Sequence, residues 1–270
     1  MKMEFLVTHT AINGLIILSY LFAIIMIIRS KAKVFKNAFY SIFVATGFAD
    51  IASLFSVCTL RVIRSLNLGE ETKDIALLAF VITYMTLMAH LIGNMLITIN
   101  RYSALCLMNR YDVIWTRRNV RIAVIIQYVI SLVAFVHVTR ANVDYIHNED
   151  GTTTIGSLRE KEIDLIARFT CIGACIVYAT VTLSLNVRLL MEWKRLSREN
   201  GVPKHRHHDK GLLLYALLVF TCAMMMCLQQ VVNNAEHREK EQRKSIPLIM
   251  AVLEDGDRGI KWSITCSTLL

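Results

Sequence analysis

Residues 74–106 read DIALLAFVITYMTLMAHLIGNMLITINRYSALC, and this stretch decides the fold. Its apolar run from 75 to 99 is long enough to cross the roughly 30 Å of a bilayer's hydrocarbon as an α-helix. Polar residues recur at steps of three, four, four and seven, at Thr83, Thr86, His90, Asn94 and Arg101. This spacing places them in one stripe of a helix. Because polar groups in hydrocarbon turn towards other helices or internal water, the stretch predicts the central helix of a membrane bundle.

The composition excludes most soluble classes of protein. The chain has 270 residues, of which 55% are hydrophobic and only 19% charged. The net charge of +9 comes from Lys and Arg in short segments between apolar runs, so no nucleic-acid partner is predicted. The seven cysteines are scattered and form no disulfide or metal-binding pattern. No sequence motif of a protease, hydrolase or nucleotide-binding enzyme is present, so we predict no enzyme, no catalytic residue, no metal and no cofactor.

Six stretches are long and apolar enough to span a bilayer. They are residues 11–28, 38–60, 75–99, 122–138, 165–187 and 212–232. A seventh, residues 246–270, is interrupted by the acidic segment 254–257 and is incomplete as a span. The sequence therefore predicts an all-α, polytopic transmembrane bundle that forms a single domain over residues 1–270, with an atypical or truncated seventh span.

The charges of the loops predict the orientation of the bundle. The segments 29–36, 101–121 and 188–210 are strongly basic, whereas the loops 61–74 and 141–164 are mixed or acidic. Basic loops of membrane proteins face the cytoplasm. We therefore expect the N-terminus outside the cell and the three basic segments inside.

Asp50 lies near the middle of the second span. An ionisable group at that depth is a candidate functional residue, because an unpaired charge there is costly. The alternative interpretation is structural: Asp50 is protonated, or is hydrogen-bonded to Asn94 or another bundle residue, and fixes the packing. Both interpretations stay open, and both place Asp50 and Asn94 in a polar network of the bundle.

The most specific pattern closes the third span. Asn100-Arg101-Tyr102 is followed by the loop residues Tyr111 and Trp115. An arginine fixed at a helix end can hold a bundle closed or bind backbone carbonyls of a partner. The alternative is a cytoplasmic anchor whose side chain extends to the interface.

As a set, these motifs resemble those of seven-helix G-protein-coupled receptors, and most closely the nematode serpentine chemoreceptors of the class gamma and class V group (Srg/Srv). The resemblance covers the first six spans and rests on the Asn-Arg pair at 100–101 and the Tyr-Asp-Val-Ile-Trp loop at 111–115. It implies a chemosensory receptor in the plasma membrane, including that of sensory cilia. It also implies that Asn100, Arg101, Tyr102, Tyr111 and Trp115 act in switching and in coupling to a heterotrimeric G protein.

A small-molecule site is expected in the outer half of the bundle, where polar groups converge in an apolar cavity. Its candidate residues are Thr83, Thr86, His90, Arg168, Met226 and Gln230. His90 is alternatively a buried, satisfied histidine, and Arg168 an arginine that extends to the outer interface.

The predicted partners are thus a small-molecule ligand, a G protein and the lipid bilayer. Two alternatives remain open: a small transporter or channel, and a non-signalling remnant of the receptor family with a damaged seventh span.

Overall fold

Six α-helices and one β-hairpin make up the part of the chain that this computed structural model describes, residues 2–30, 37–147, 153–199 and Thr221. The helices are α1 (Lys2–Arg29), α2 (Ala38–Ser65), α3 (Lys73–Cys106), α4 (Tyr111–Ile114), α5 (Arg117–Phe135) and α6 (Lys161–Glu199). Short 3-10 helices at Glu70–Thr72, Met108–Arg110 and Val136–Arg140 precede α3, precede α4 and follow α5. The strands are β1 (Val143–His147) and β2 (Thr153–Leu158).

The predicted spans meet these helices as follows. Spans 11–28, 38–60, 75–99 and 165–187 each lie inside one helix, and span 122–138 covers most of α5 and the start of the 3-10 turn after it. Contacts divide the chain into the units Met1–Ala223 and Met224–Leu270, and every described residue belongs to the first. The sixth span, apart from Thr221, and the seventh stretch lie outside the described residues, as do the pocket candidates Met226 and Gln230.

Helix α3 is the centre of the described bundle. It packs against α2, α5 and α6, while α1 packs against α2. Small side chains allow this close packing, since Ala76, Ala79, Ala89 and Gly93 are all buried on α3. The central position predicted for this stretch from its polar stripe is therefore the one that α3 occupies.

Two buried clusters mark the two ends of the bundle. At one end, Ala38 and Ile42 of α2 contact Ile97 of α3 and Val120 of α5. At the other, residues of the opposite ends of α2 and α3 pack with the hairpin, among them Leu60, Ile63, Ala76, Ala79, Val143 and Ile155. We call the first the basic end, because α1 finishes there at Arg29 and α5 begins there at Arg117.

Large apolar side chains cover the outside of the helices. Phe22, Phe55 and Val133, on three different helices, each expose about two-thirds of their surface, at 66%, 68% and 66%. Five helical segments of the described residues are long and apolar enough to cross a membrane. An apolar exterior around a core that contains Gln127 and Asn100 is typical of a lipid-embedded bundle, and the predicted all-α polytopic fold class is confirmed.

The hairpin between α5 and α6 is a feature that the sequence analysis did not predict. Its strands are antiparallel, with Tyr145 opposite Ile155 and a bulge between Val143 and Tyr145. β-branched and aromatic residues favour the extended conformation, and they make up three of the five residues of β1 and three of the six of β2. The hairpin packs on the ends of α2, α3 and α6, where Arg64 Nη2 donates a hydrogen bond of 3.1 Å to the Gly156 carbonyl oxygen.

Glu160 joins the two ends of the hairpin through hydrogen bonds to Asn142, a contact that we call the Glu160 clamp. Its two carboxylate oxygens accept hydrogen bonds from the Asn142 backbone N–H (2.6 Å) and from Asn142 Nδ2 (2.8 Å). The Arg159 N–H in turn donates to the Asn142 carbonyl oxygen at 2.8 Å. The bonds from Asn142 lower the pKa of the Glu160 carboxyl below its ordinary value of 4.5, since they favour the charged form.

We expect this clamp to make the hairpin sensitive to acid. A lowered pKa in the folded state stabilises the hairpin at pH values above 4.5, and this stabilisation is lost as the pH falls through the folded-state pKa. Hydrogen-exchange protection of the hairpin amides should therefore decrease below pH 4.5 in the native chain. In Glu160→Gln, protection should be low at all pH values. Glu162→Gln removes one negative charge nearby and should keep the pH dependence of the native chain. If the loss of protection in acid were the same in Glu160→Gln as in the native chain, the clamp would be contradicted.

Candidate switch and polar network

Arg101 lies at the basic end of α3 with only 7% of its surface exposed. Its guanidinium carbon lies 5.1 Å from the centre of the ring of Phe39, a residue in the first turn of α2. Phe39 is itself held by neighbouring rings, with Tyr40 edge-on at 5.0 Å and Phe43 stacked at 6.2 Å. A cation over an aromatic face is attracted by the negative face of the ring, by about 0.5–2 kcal/mol. Arg101 is therefore inside the bundle, and it is not a side chain extended into water.

The loop after α3 is hydrogen-bonded back onto that helix. Asn100 Nδ2 donates to the Tyr111 hydroxyl oxygen at 3.2 Å, and Trp115 Nε1 donates to Ser103 Oγ at 2.5 Å. The Ser103 hydroxyl lies within hydrogen-bond distance of the Ile99 and Asn100 carbonyl oxygens. Four of the residues predicted for the switch, Asn100, Arg101, Tyr111 and Trp115, thus lie together at the basic end.

Tyr102, the fifth residue predicted for the switch, is half-buried, and its side chain makes no hydrogen bond to another described residue. It follows Arg101 directly, so its side chain leaves α3 about 100° further round the helix than that of Arg101.

Half-way along α3 a hydrogen-bonded chain joins it to α2. Asp50 Oδ1 and His90 Nδ1 are 2.5 Å apart, and His90 Nε2 and Asn94 Nδ2 are 2.8 Å apart. Asp50 thus reaches Asn94 through His90. The side chains of His90 and Asp50 keep 27% and 17% of their surface accessible, so the pair is partly buried. The structure places His90, a candidate pocket residue, in the same network as Asp50 and Asn94.

Next to this network, between His90 and Asn94 on α3, the helices α2, α3 and α5 meet at Gly93. A Cβ atom at this position would collide with Thr46 of α2 and with Gln127 Nε2 of α5. Gln127 is fully buried and donates from Nε2 to the Ala89 carbonyl oxygen at 2.8 Å. The absence of a side chain at Gly93 is therefore what lets a polar group of α5 reach the backbone of α3.

The end of the bundle opposite the basic end holds the remaining pocket candidates of the described residues. The Thr83 hydroxyl donates to the Ala79 carbonyl oxygen and the Thr86 hydroxyl to that of Ile82, each at 2.7 Å. Arg168 Nη2 lies 2.7 Å from Asp164 Oδ2, one turn earlier on α6. The candidates therefore lie on two helices that pack together, α3 and α6.

Tyr84 of α3 lies close enough to Asp164 and Arg168 of α6 to interact electrostatically with both. The ion pair between Asp164 and Arg168 therefore lies on the side of α6 that faces α3.

Phe39, Tyr84 and Asp164 are among the residues of these groups that the sequence alone did not single out. Asp164 carried a usable signal, because it precedes Arg168 by four residues on a helix, a spacing that favours ion pairs. Phe39 and Tyr84 carried none, since an aromatic residue in an apolar span is ordinary in composition. Their contacts with Arg101 and Asp164 depend on which helices are neighbours.

The family model of the serpentine type 7TM GPCR chemoreceptor Srv matches residues 10–255, which is most of the chain. No curated protein matches the chain significantly. The resemblance seen in the sequence motifs is confirmed by this match.

Proposed function

The chain belongs to the Srv family of serpentine-type, seven-transmembrane G-protein-coupled chemoreceptors, and from that premise we propose that it converts the binding of a small molecule into activation of a G protein. It is a multi-pass membrane protein of a family that is not an enzyme family. The partners general to such receptors are a ligand and a G protein. The finer points of this proposal concern the orientation, the ligand site and the switch.

We place the basic end in the cytoplasm and the N-terminus outside, at the plasma membrane, including that of sensory cilia. The support is the charge of the loops. Arg110, Arg117, Arg118 and Arg121 lie where α3 ends and α5 begins, with Asp112 as the one acid of this segment. The opposite end is mixed, with Glu70, Glu71 and Glu160 beside basic residues such as Arg64 and Arg140. Arginine and lysine are retained on the cytoplasmic side during insertion. The switch residues then face the compartment that contains G proteins.

The observation that carries the proposal is the position of Arg101. A buried guanidinium held over Phe39 has to leave the ring before it can meet a partner, so two states of the bundle have different contacts. A partner that binds only the released state shifts the population towards it. The loop bonded to α3 through Tyr111 and Trp115 would move together with this end of the helix.

The ligand site is proposed at the opposite end, between α3 and α6. Thr83, Thr86, His90 and Arg168 are its candidates; Met226 and Gln230, the other two residues expected from the sequence, lie outside the described residues. The Tyr84–Asp164–Arg168 group offers both signs of charge to a small polar molecule. A ligand that competes for Arg168 or Asp164 would loosen the link between α3 and α6.

The network Asp50–His90–Asn94 lies between the two ends of α3. A shift of α3 relative to α2 would strain the bond between Asp50 and His90, because the two residues lie on different helices. We propose that this pair is the interhelical contact through which ligand binding at one end biases Arg101 at the other.

The proposal is tested in cells that express the full chain with an N-terminal tag. We expect an impermeant antibody to label the tag on intact cells, and we expect at least one compound of a panel of small polar odorants to evoke a G-protein response. Asp50→Asn should reduce that response, because it replaces the carboxyl group that contacts His90. The control is Asp112→Asn, which changes an acid in the loop between α3 and α5.

Three outcomes would contradict the proposal. Labelling of the tag only after permeabilisation would reverse the orientation. Solute flux through reconstituted vesicles, lost in Asp50→Asn and present without any G protein, would instead favour a transporter or channel in which Asp50, His90 and Asn94 line a polar path. If the chain is correctly oriented but neither responds to any compound nor transports solute, the result would favour a non-signalling remnant of the receptor family.

A further inference from the structure

A cavity of about 350 Å³ opens at the basic end, between the beginnings of α2 and α5. It is lined by Ala38, Ser41, Trp115, Arg117, Val120 and Arg121. None of these residues is acidic. Arg117 and Arg121 are four residues apart, so they share one face of α5. Among the described residues, neither guanidinium has a hydrogen bond or an ion pair with another side chain.

We propose that this cavity binds the phosphate-bearing headgroup of an anionic phospholipid. Guanidinium groups form paired, charge-assisted hydrogen bonds with phosphate oxygens, and two of them face the same space. The Ser41 hydroxyl supplies a further donor, and the indole of Trp115 supplies a flat apolar wall. The volume lies in the range of small-molecule sites and exceeds what a bare phosphate needs.

The surroundings of the cavity favour a lipid over a free anion. After Arg121, towards its C-terminal end, α5 has an exposed apolar face, on which Ile122, Ile125 and Val129 expose 44%, 60% and 50% of their surface. In a membrane this face contacts acyl chains. A phospholipid lying along it would place its headgroup beside Arg117 and Arg121. A free phosphate would use the arginines and leave the apolar face without a role.

The bound lipid would also act on the switch. Trp115 lines the cavity and donates to Ser103, which lies two residues after Arg101 on α3. An occupant that packs against the indole would hold the loop in its present place. That the lipid comes from the inner leaflet, where anionic lipids concentrate, rests on the orientation proposed above.

The test measures how strongly phosphatidylserine binds to the full chain in nanodiscs of phosphatidylcholine, with bound lipids counted by native mass spectrometry. The variant Arg117→Gln/Arg121→Gln should weaken binding roughly 25-fold, about fivefold for each arginine. The matched control is Arg110→Gln/Arg118→Gln, which removes two exposed arginines of the same region that do not line the cavity, and its binding should stay close to that of the native chain.

A second pair of variants leaves the charge unchanged. Ser41 is exposed, so Ser41→Phe should fill part of the cavity without disturbing the core, and it should also weaken binding; Ser41→Ala keeps the space and should bind nearly as well as the native chain. Equal losses in the two double arginine variants, or full binding by Ser41→Phe, would overturn the site. Competition by millimolar inorganic phosphate would overturn the choice of a lipid as its occupant.

This test is separate from that of the proposed function. Nanodiscs expose both faces of the protein, so lipid binding does not depend on which way the chain is inserted in a cell. A reversed orientation would move the site to the outer leaflet and leave the binding intact. A failure of the lipid site would leave odorant-evoked signalling as it was.

Discussion

Replacing Gly93 with alanine is expected to lower the free energy of unfolding by about 1–3 kcal/mol, which is typical of overpacking in a buried contact. The added methyl carbon would lie 2.8 Å from Gln127 Nε2 and 2.9 Å from Thr46 Cγ2, and it would meet Thr46 Oγ1 more closely still. Since both branches of Thr46 face this point, any rotation of its side chain leaves one branch in the way. Either α2 moves away from α3 or Gln127 loses its bond to the Ala89 carbonyl.

The measurement is thermal unfolding of the purified chain in detergent, with surface expression in cells as a second readout. Gly173→Ala is the matched control, because in the described part of the chain nothing beyond the local backbone of α6 lies within 4 Å of the added carbon. It should be neutral or stabilising by up to about 1 kcal/mol, the difference in helix propensity. The double variant Thr46→Ala/Gly93→Ala should recover part of the loss. Equal stability of Gly93→Ala and the native chain would contradict the close approach of α2 and α3.

The sequence could predict the central helix because burial in a membrane bundle leaves a periodic signal. Thr86, Asn94 and Arg101 were assigned to one stripe, and all three are buried, with 9%, 8% and 7% of their surface exposed. The length of the apolar runs predicted the helices. The Asn100-Arg101 pair together with the Tyr111–Trp115 loop indicated the family. All of these signals are local along the chain.

Contacts between helices left no such signal. His90 stands in the polar stripe whether it faces a ligand or Asp50, and only the pairing of α2 with α3 decides that it bonds to Asp50. The same holds for Arg101. From the sequence alone its side chain could extend to the membrane interface and contact water, and only the packing of α2 against α3 decides that it contacts Phe39. The hairpin was missed for a different reason: two short strands in a charged loop have no hydrophobic period long enough to stand out.

Arg101→Ala is expected to abolish ligand-evoked G-protein activation while leaving surface expression close to native. The guanidinium is the group that we propose to pass from the Phe39 ring to the partner, so its removal takes away an interaction needed in the active state. Truncation also removes the ring contact of the resting state. The change also removes the cost of keeping the buried guanidinium away from water. The bundle should therefore still fold, and the loss should appear in signalling alone.

Phe39→Ala separates a switch from a structural anchor. It removes the ring and keeps the cation, so it should weaken the resting state by about 0.5–2 kcal/mol and raise the basal activity roughly two- to thirtyfold. Phe43→Ala removes the ring stacked behind Phe39 without touching the guanidinium carbon directly, and its effect on basal activity should be smaller. Arg118→Ala, an exposed arginine of the same end, controls for the loss of positive charge and should signal normally. If Phe39→Ala lowers basal activity, the ring supports the active state and the proposed resting contact is wrong. Normal signalling by Arg101→Ala would show that the guanidinium is only an anchor.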